Sequence, residues 1–196
     1  MTSELNYDVL ISDLIPVAGT PIPNGDAPHW SPLSHTLIFG GTEAALVDPP
    51  ITISQTEKVT QWVASHGRRL TAIYLTHSHA DHWLGTSQLI QAFPEATVFA
   101  GATTAQKISA DMAGGVPGPL WTTLFPGQLA DDVRFRVQSV PHDGFTVDGH
   151  ILQSIEVGHT DTDDTTILHM PSIGLVAAGS PNCVLLVVVV QLVYVT

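Results

Sequence analysis

Four side chains able to ligate a metal crowd into six residues of this chain: His77, His79, Asp81 and His82, in the run Thr76-His77-Ser78-His79-Ala80-Asp81-His82. Neutral imidazole and carboxylate are the usual ligands of zinc, at about 2.0–2.2 Å, and they also suit other first-row metals. A tight loop can turn all four toward one point. Two histidines one residue apart can share one ion, and Asp81 and His82 then face a second. A solvated, histidine-rich turn is the plain alternative, but three imidazoles and a carboxylate placed directly after an apolar strand are costly to assemble without a ligand.

The flanking pattern says what positions this loop. Leu70 to Thr76 is a continuous apolar stretch of strand length, and Leu84 to Phe93 has helical spacing, so the cluster falls on a strand-to-helix loop. Open α/β sheets place their sites at the carboxyl ends of strands, where side chains converge without filling the core. Upstream, Ser34 to Pro49 reads as a β-hairpin about Gly40-Gly41, and Ile53 to His66 reads as a helix stopped by Gly67. Downstream, a strand is expected over Ala96 to Ala100 and a helix over Thr103 to Ala113, with Thr103 or Thr104 as N-cap. Gly114 to Pro119 then forces a loop over the site or at its rim.

The rest is strand-rich. Val133 to Val140 is one expected strand, and Phe145 to Val147 with Ile151 to Val157 flank a strong Asp148-Gly149 turn signal. A polar loop, Gly158 to Asp164, leads into strands at Thr165 to His169 and Gly174 to Ala178. Alternating strands and helices followed by hairpins predict a two-sheet α/β core flanked by helices, in one domain over residues 1–196.

Composition narrows the function. Eighteen acidic against six basic side chains, a net charge of -12, oppose a phosphate backbone, so nucleic acid is not an expected partner. The single cysteine, Cys183, permits neither an internal disulfide nor a cysteine-rich zinc site, which leaves His and Asp to hold any metal. The first eight residues lack the basic start and apolar stretch of a secretory leader, and a cytoplasmic location is expected. The apolar run Val184 to Val190, continued by Leu192 to Val195, is short of the ~20 residues of a membrane span and is expected to form a buried strand.

Thr76 to Gly85 resembles the His-x-His-x-Asp-His signature of the metallo-β-lactamase superfamily, and Leu46-Val47-Asp48-Pro49 resembles the strand-end aspartate that precedes it. Val157-Gly158-His159-Thr160-Asp161 resembles the segment supplying that family's third histidine, so that the likeness covers about residues 34 to 180. The resemblance implies an αββα sandwich with the site at one edge of the two sheets. It implies that His77, His79 and His159 bind a first metal, that Asp81 and His82 contribute to a second, and that Asp81 orients a metal-bound hydroxide or handles protons. The implied cofactor is zinc, one or two ions, and the implied activity is hydrolysis of a small ester, thioester, lactone or amide.

The family follows its late strand with Gly-Asp and adds a final histidine; here Gly179 is followed by Ser180, and no histidine occurs after His169. Two protein ligands would then remain for the second metal, whereas the first keeps three. The expected fold is accordingly incomplete at the C-terminus, with residues 181–196 an atypical apolar tail, and the alternative to an enzyme is a truncated fold relative binding one metal or none. The tail could instead dock on a membrane or partner, and the pattern specifies no oligomeric state. His29, His35 and His66 are expected at the surface or in loops, His150 solvated, and His169 structural. His142 and Asp143 are candidate pocket residues, Asp161, Asp163 or Asp164 a partner orienting an imidazole, and Trp121 either substrate-facing or core.

Overall fold

The computed structural model of the chain describes residues 4–19 and 23–179 and the backbone of 186–189. Ser180, Cys183, and the tail expectations for 180–185 and 190–196 lie outside the described residues. The chain begins with strand β1 (Asn6–Ile11), short strands β2 (Ile15–Pro16) and β3 (His29–Trp30), and the hairpin of β4 (Ser34–Phe39) and β5 (Glu43–Val47). Helix α1 (Ile53–Ser65) and strand β6 (Arg69–Leu75) follow, then a 3₁₀ turn (Ala80–His82), helix α2 (Thr86–Ala92) and strand β7 (Thr97–Ala100). Helices α3 (Ala102–Ala113) and α4 (Pro119–Leu124) lead to strands β8 (Val137–Ser139), β9 (Phe145–Val147), β10 (His150–Glu156), β11 (Thr166–Met170), β12 (Leu175–Ala178) and β13 (Leu186–Val189).

Two main sheets result, ordered β1-β4-β5-β6-β7-β8 and β13-β12-β11-β10-β9, and β2 and β3 pair separately. The first is parallel from β5 to β8, and β6 at its centre is buried on both faces, which explains its near-continuous apolar reading. Its Leu70, Ile73 and Leu75 face the helices with Val59, Val63, Leu89 and Ile108, while Ala72 and Tyr74 face the second sheet with Phe145, Leu152, Leu168 and Met170. Among the described residues no helix covers the outer face of the second sheet, where Ile151 and Ile155 are exposed.

Local rules account for most elements. Helix α1 starts with a capping box, in which the Thr52 hydroxyl accepts from the Gln55 amide and the Gln55 side chain accepts from the Thr52 amide. It stops where Gly67 takes φ +62°. Asp148 and Gly149 both have positive φ (48° and 81°), as a type I′ turn requires. The same Asp148 carboxylate accepts from the Thr42 and Glu43 amides at 2.8 and 3.1 Å, pinning the β9–β10 hairpin to the β4–β5 turn.

Several expectations are corrected. The strand expected from Val133 is confined to Val137–Ser139, because Asp132 accepts from the Arg134 amide (3.0 Å) and guanidinium (2.9 Å) and turns the chain there. The α3 N-cap is Gly101, with no side-chain cap; Thr104 instead donates to the Asp164 carbonyl (2.8 Å). His35 is fully buried on β4 rather than at the surface, its Nδ1 directed at the Asp48 carbonyl (2.5 Å). Strand β1 and helix α4 were not legible in the pattern. Of the apolar tail, Leu186–Val189 pairs antiparallel with β12.

Candidate metal centre

The site forms where the carboxyl ends of β5, β6 and β12 meet the loop after β10. Asp48, just past β5, takes φ +52°, in the left-handed region. Its carboxylate accepts from the Thr76 amide (2.9 Å), the Thr76 hydroxyl (2.7 Å) and His82 Nδ1 (3.0 Å). Gly179 allows this close packing: a Cβ there would lie 2.0 Å from Asp48 Oδ2 and 2.4 Å from Thr76 Oγ1.

These contacts set the imidazole tautomers. With the Thr76 hydroxyl proton committed to Asp48, Thr76 Oγ1 accepts from His77 Nδ1 at 2.9 Å. His77 and His82 therefore both carry their protons on Nδ1 and turn the Nε2 lone pairs inward. A metal-ligating histidine is usually held this way, by a partner on its other nitrogen.

Asp161 meets the cluster from the β10–β11 loop. Its Oδ2 lies 3.0 Å from His77 Nε2 and 2.7 Å from His79 Nδ1. His77 Nε2 and Asp161 Oδ2 are buried, yet neither has a hydrogen-bonding partner, because the approach lacks hydrogen-bond alignment. Buried His82 Nε2 and Asp81 Oδ2, 3.8 Å apart, are likewise without hydrogen-bond partners. Orphaned buried polar atoms are costly, and atoms converging without sharing a proton fit a cation held in common. His77, His79 and Asp161 present ligand atoms within 4.8 Å of one another, and so do Asp48, His77 and His82. In the second group Asp48 already accepts three hydrogen bonds, which makes it an orienting group rather than a free donor.

The electrostatics separate the two imidazoles. Burial and the neighbouring His82 push His77 below the ordinary imidazole range, keeping it neutral. For His82 burial acts downward as well, but the charge and hydrogen bond of Asp48 raise it overall. Burial pushes Asp48 up, yet His82, His77 and the Thr76 amide hold it below the usual carboxylate value.

Of the expected site residues, the structure brings together His77, His79 and His82, with Asp81 beside His82. His159 is exposed and belongs to neither group of converging ligand atoms. Asp161, two residues further on, reaches the cluster instead; no spacing rule distinguishes the two positions, since both lie on one irregular loop. Asp164 anchors that loop, accepting from Ser78 Oγ and Lys107 Nζ, each at 3.0 Å, while Asp163 pairs with Lys107 at the surface. Trp83 is fully buried and donates to the Ser78 carbonyl (2.9 Å), which fixes the histidine loop from below. His142 lines a different cleft.

A cleft of about 790 Å³ opens above His79, which is the half-exposed member of the cluster. Ser78, Asp81 and Asp161 contribute to its floor, and Trp30, Leu120 and Trp121 to its wall. The two-sheet fold is that of an α/β domain whose histidines and aspartates at the strand ends could hold a metal ion.

The chain matches the metallo-beta-lactamase superfamily over residues 32–180 and belongs to that family. A hydroxyacylglutathione hydrolase of Synechococcus sp. (strain CC9902) is 38% identical over 107 residues, 55% of this chain and 40% of that protein. One from Trichormus variabilis (strain ATCC 29413 / PCC 7937) is 39% identical over 75 residues, 38% of this chain and 28% of its own length. The chain thus spans well under two thirds of these relatives. Among solved structures, the metallo-beta-lactamase FIM-1 from Pseudomonas aeruginosa in its mono-zinc form superposes with a TM-score of 0.53 at 19% identity, over 83% of this chain and 68% of that one. The metallo beta lactamase from Hirschia baltica does so with a TM-score of 0.53 at 15% identity, over 88% and 65%. At these identities the likeness is one of fold. No helix among the described residues is long and apolar enough to cross a membrane.

Proposed function

We propose that the chain is a zinc-dependent hydrolase of small molecules, cleaving an ester, thioester, lactone or amide, with a thioester favoured by the name shared by its relatives in sequence. The observation that carries the reading is the convergence of His77 Nε2, His79 Nδ1 and Asp161 Oδ2 without hydrogen-bond alignment. His77, His79 and Asp161 would hold one ion, with His159 on the same loop as a further donor, and His82 and Asp81 would serve a second. Bound there, a divalent cation supplies Lewis acidity and generates a nucleophile from water at neutral pH.

The chain's own residues do the rest. Asp48 and Thr76 hold the Nδ1 protons of His82 and His77, so the lone pairs stay directed inward whatever enters the cleft. Asp81 is a buried carboxylate with a free oxygen on the cleft floor, placed to orient the attacking water and carry its proton. A fold relative without catalysis is the second reading, favoured by the exposed position of His159. Elemental analysis of the purified chain with a thioester and lactone panel separates the two. One or two zinc ions per chain with turnover supports the hydrolase, and a metal-free, inert protein supports the second reading.

A further inference from the structure

The cleft above the metal centre has an uneven chemistry. Its wall is aromatic: Trp30 meets Trp121 edge-to-face at 5.6 Å, and both contact the buried Phe125, at 5.7 and 6.1 Å between ring centroids. Leu120 stands beside them, 66% exposed. Isolated exposed leucines are common, but one adjoining two tryptophans in a concave site marks a surface for an apolar ligand group. Asp81 and Asp161 on the floor belong to the candidate metal centre, which leaves Asp111 at the rim as the carboxylate facing the remote part of a substrate; His29 and His79 add imidazoles to the lining.

All six basic side chains of the chain lie elsewhere. Lys58 pairs with Asp13, Arg69 with Glu43 and Glu95, and Arg134 with Asp132, while Arg68 donates to the Gly40 carbonyl. Arg136 lines a separate cleft with Gln138. Lys107 is one helical turn from Asp111, but its ammonium is bound to Asp163 and Asp164. A carboxylate on the part of a substrate remote from the metal centre would therefore approach Asp111 and find no free lysine or arginine to pair with it, a penalty in a partly desolvated site.

We propose that this cleft selects an uncharged substrate bearing an apolar or aromatic group seated against Trp30, Trp121 and Leu120, and discriminates against carboxylate-bearing thioesters such as those of glutathione. The inference rests on the hydrolase reading for its reaction but not for its binding preference. Two phenylacetyl thioesters test it on the zinc-loaded full chain, one of neutral N-acetylcysteamine and one of glutathione. The neutral compound is expected to show at least tenfold higher kcat/KM. Tryptophan-fluorescence titration with uncleavable phenethyl thioethers of the same two thiols reads the preference without turnover. There the neutral thioether should bind at least tenfold tighter, Trp121→Ala should weaken it at least fivefold, and the exposed-rim change Asp111→Lys should move the preference toward glutathione. Binding preference without turnover of either thioester sinks the hydrolase reading and retains the selectivity. Equal or tighter binding of the glutathione compound, or binding of neither, overturns the proposal.

Discussion

Replacing Asp48 by Asn tests the orienting network most directly. The carboxylate is 2% exposed and accepts three hydrogen bonds, from the Thr76 amide, the Thr76 hydroxyl and His82 Nδ1. Asn preserves the shape and tolerates the left-handed backbone at this position. It turns one acceptor atom into a donor, however, and all three neighbours are donors. In either amide orientation at least one buried donor loses its partner, at about 1–3 kcal/mol, and the remaining bonds lose the strength contributed by charge. The sum is about 2–4 kcal/mol against a typical domain stability of about 5–15 kcal/mol, so the variant should fold. With His82 and His77 no longer held, zinc affinity should fall about 10- to 100-fold. Urea denaturation with chelator present measures the first effect, and a competitive zinc titration the second. A variant within about 0.5 kcal/mol of the parent and of unchanged affinity would refute the orienting role, because surface-like tolerance is incompatible with three buried donors on one carboxylate.

Three further outcomes follow from other parts of the site. Gly179→Ala should lose zinc binding and stability together, since its methyl would lie 2.0 Å from Asp48 Oδ2; a zinc titration matching the parent would show that strand β12 yields instead. Asp161→Ala should lower zinc affinity at least tenfold by removing the oxygen that meets both His77 and His79, and a larger loss in His159→Ala would move the third donor to position 159. Burial lowers His35 from the ordinary imidazole value of 6.5 to about 4. The unfolded chain takes up that proton below about pH 6.5 while the folded one refuses it until about pH 4, so stability falls across this window, by on the order of 3 kcal/mol. His35→Leu should flatten most of that fall in denaturation curves at pH 7 and 4.5; an unchanged difference would place the acid sensitivity elsewhere.

Elements governed by neighbours along the chain were legible. The doubly buried β6, the Thr52-capped α1 and the Asp148-Gly149 turn each follow from a short pattern with a local cause. Elements that depend on their surroundings were not. Strand β1 exists because it pairs with β4 from Asn6↔Phe39 to Ile11↔Ser34, and its own run of Asn-Tyr-Asp-Val-Leu-Ile has no clean alternation. The short α4 is held through Phe125, buried against Trp30 from a distant strand.

The candidate site divides the same way. His77, His79, Asp81 and His82 are brought close by six residues of covalent chain, so their types and spacing alone made a candidate metal-binding loop at a strand end legible. Which atoms complete it was decided by strand pairing within the first sheet and by its stacking on the second. That stacking carries Asp161 to His77, while the pairing of β4, β5 and β6 within the first sheet seats Asp48 behind the imidazoles and buries His35 beside its carbonyl. These contacts join residues dozens of positions apart, and their geometry depends on sheet register and on the absence of a Cβ at Gly179, neither of which leaves a periodic trace in the sequence.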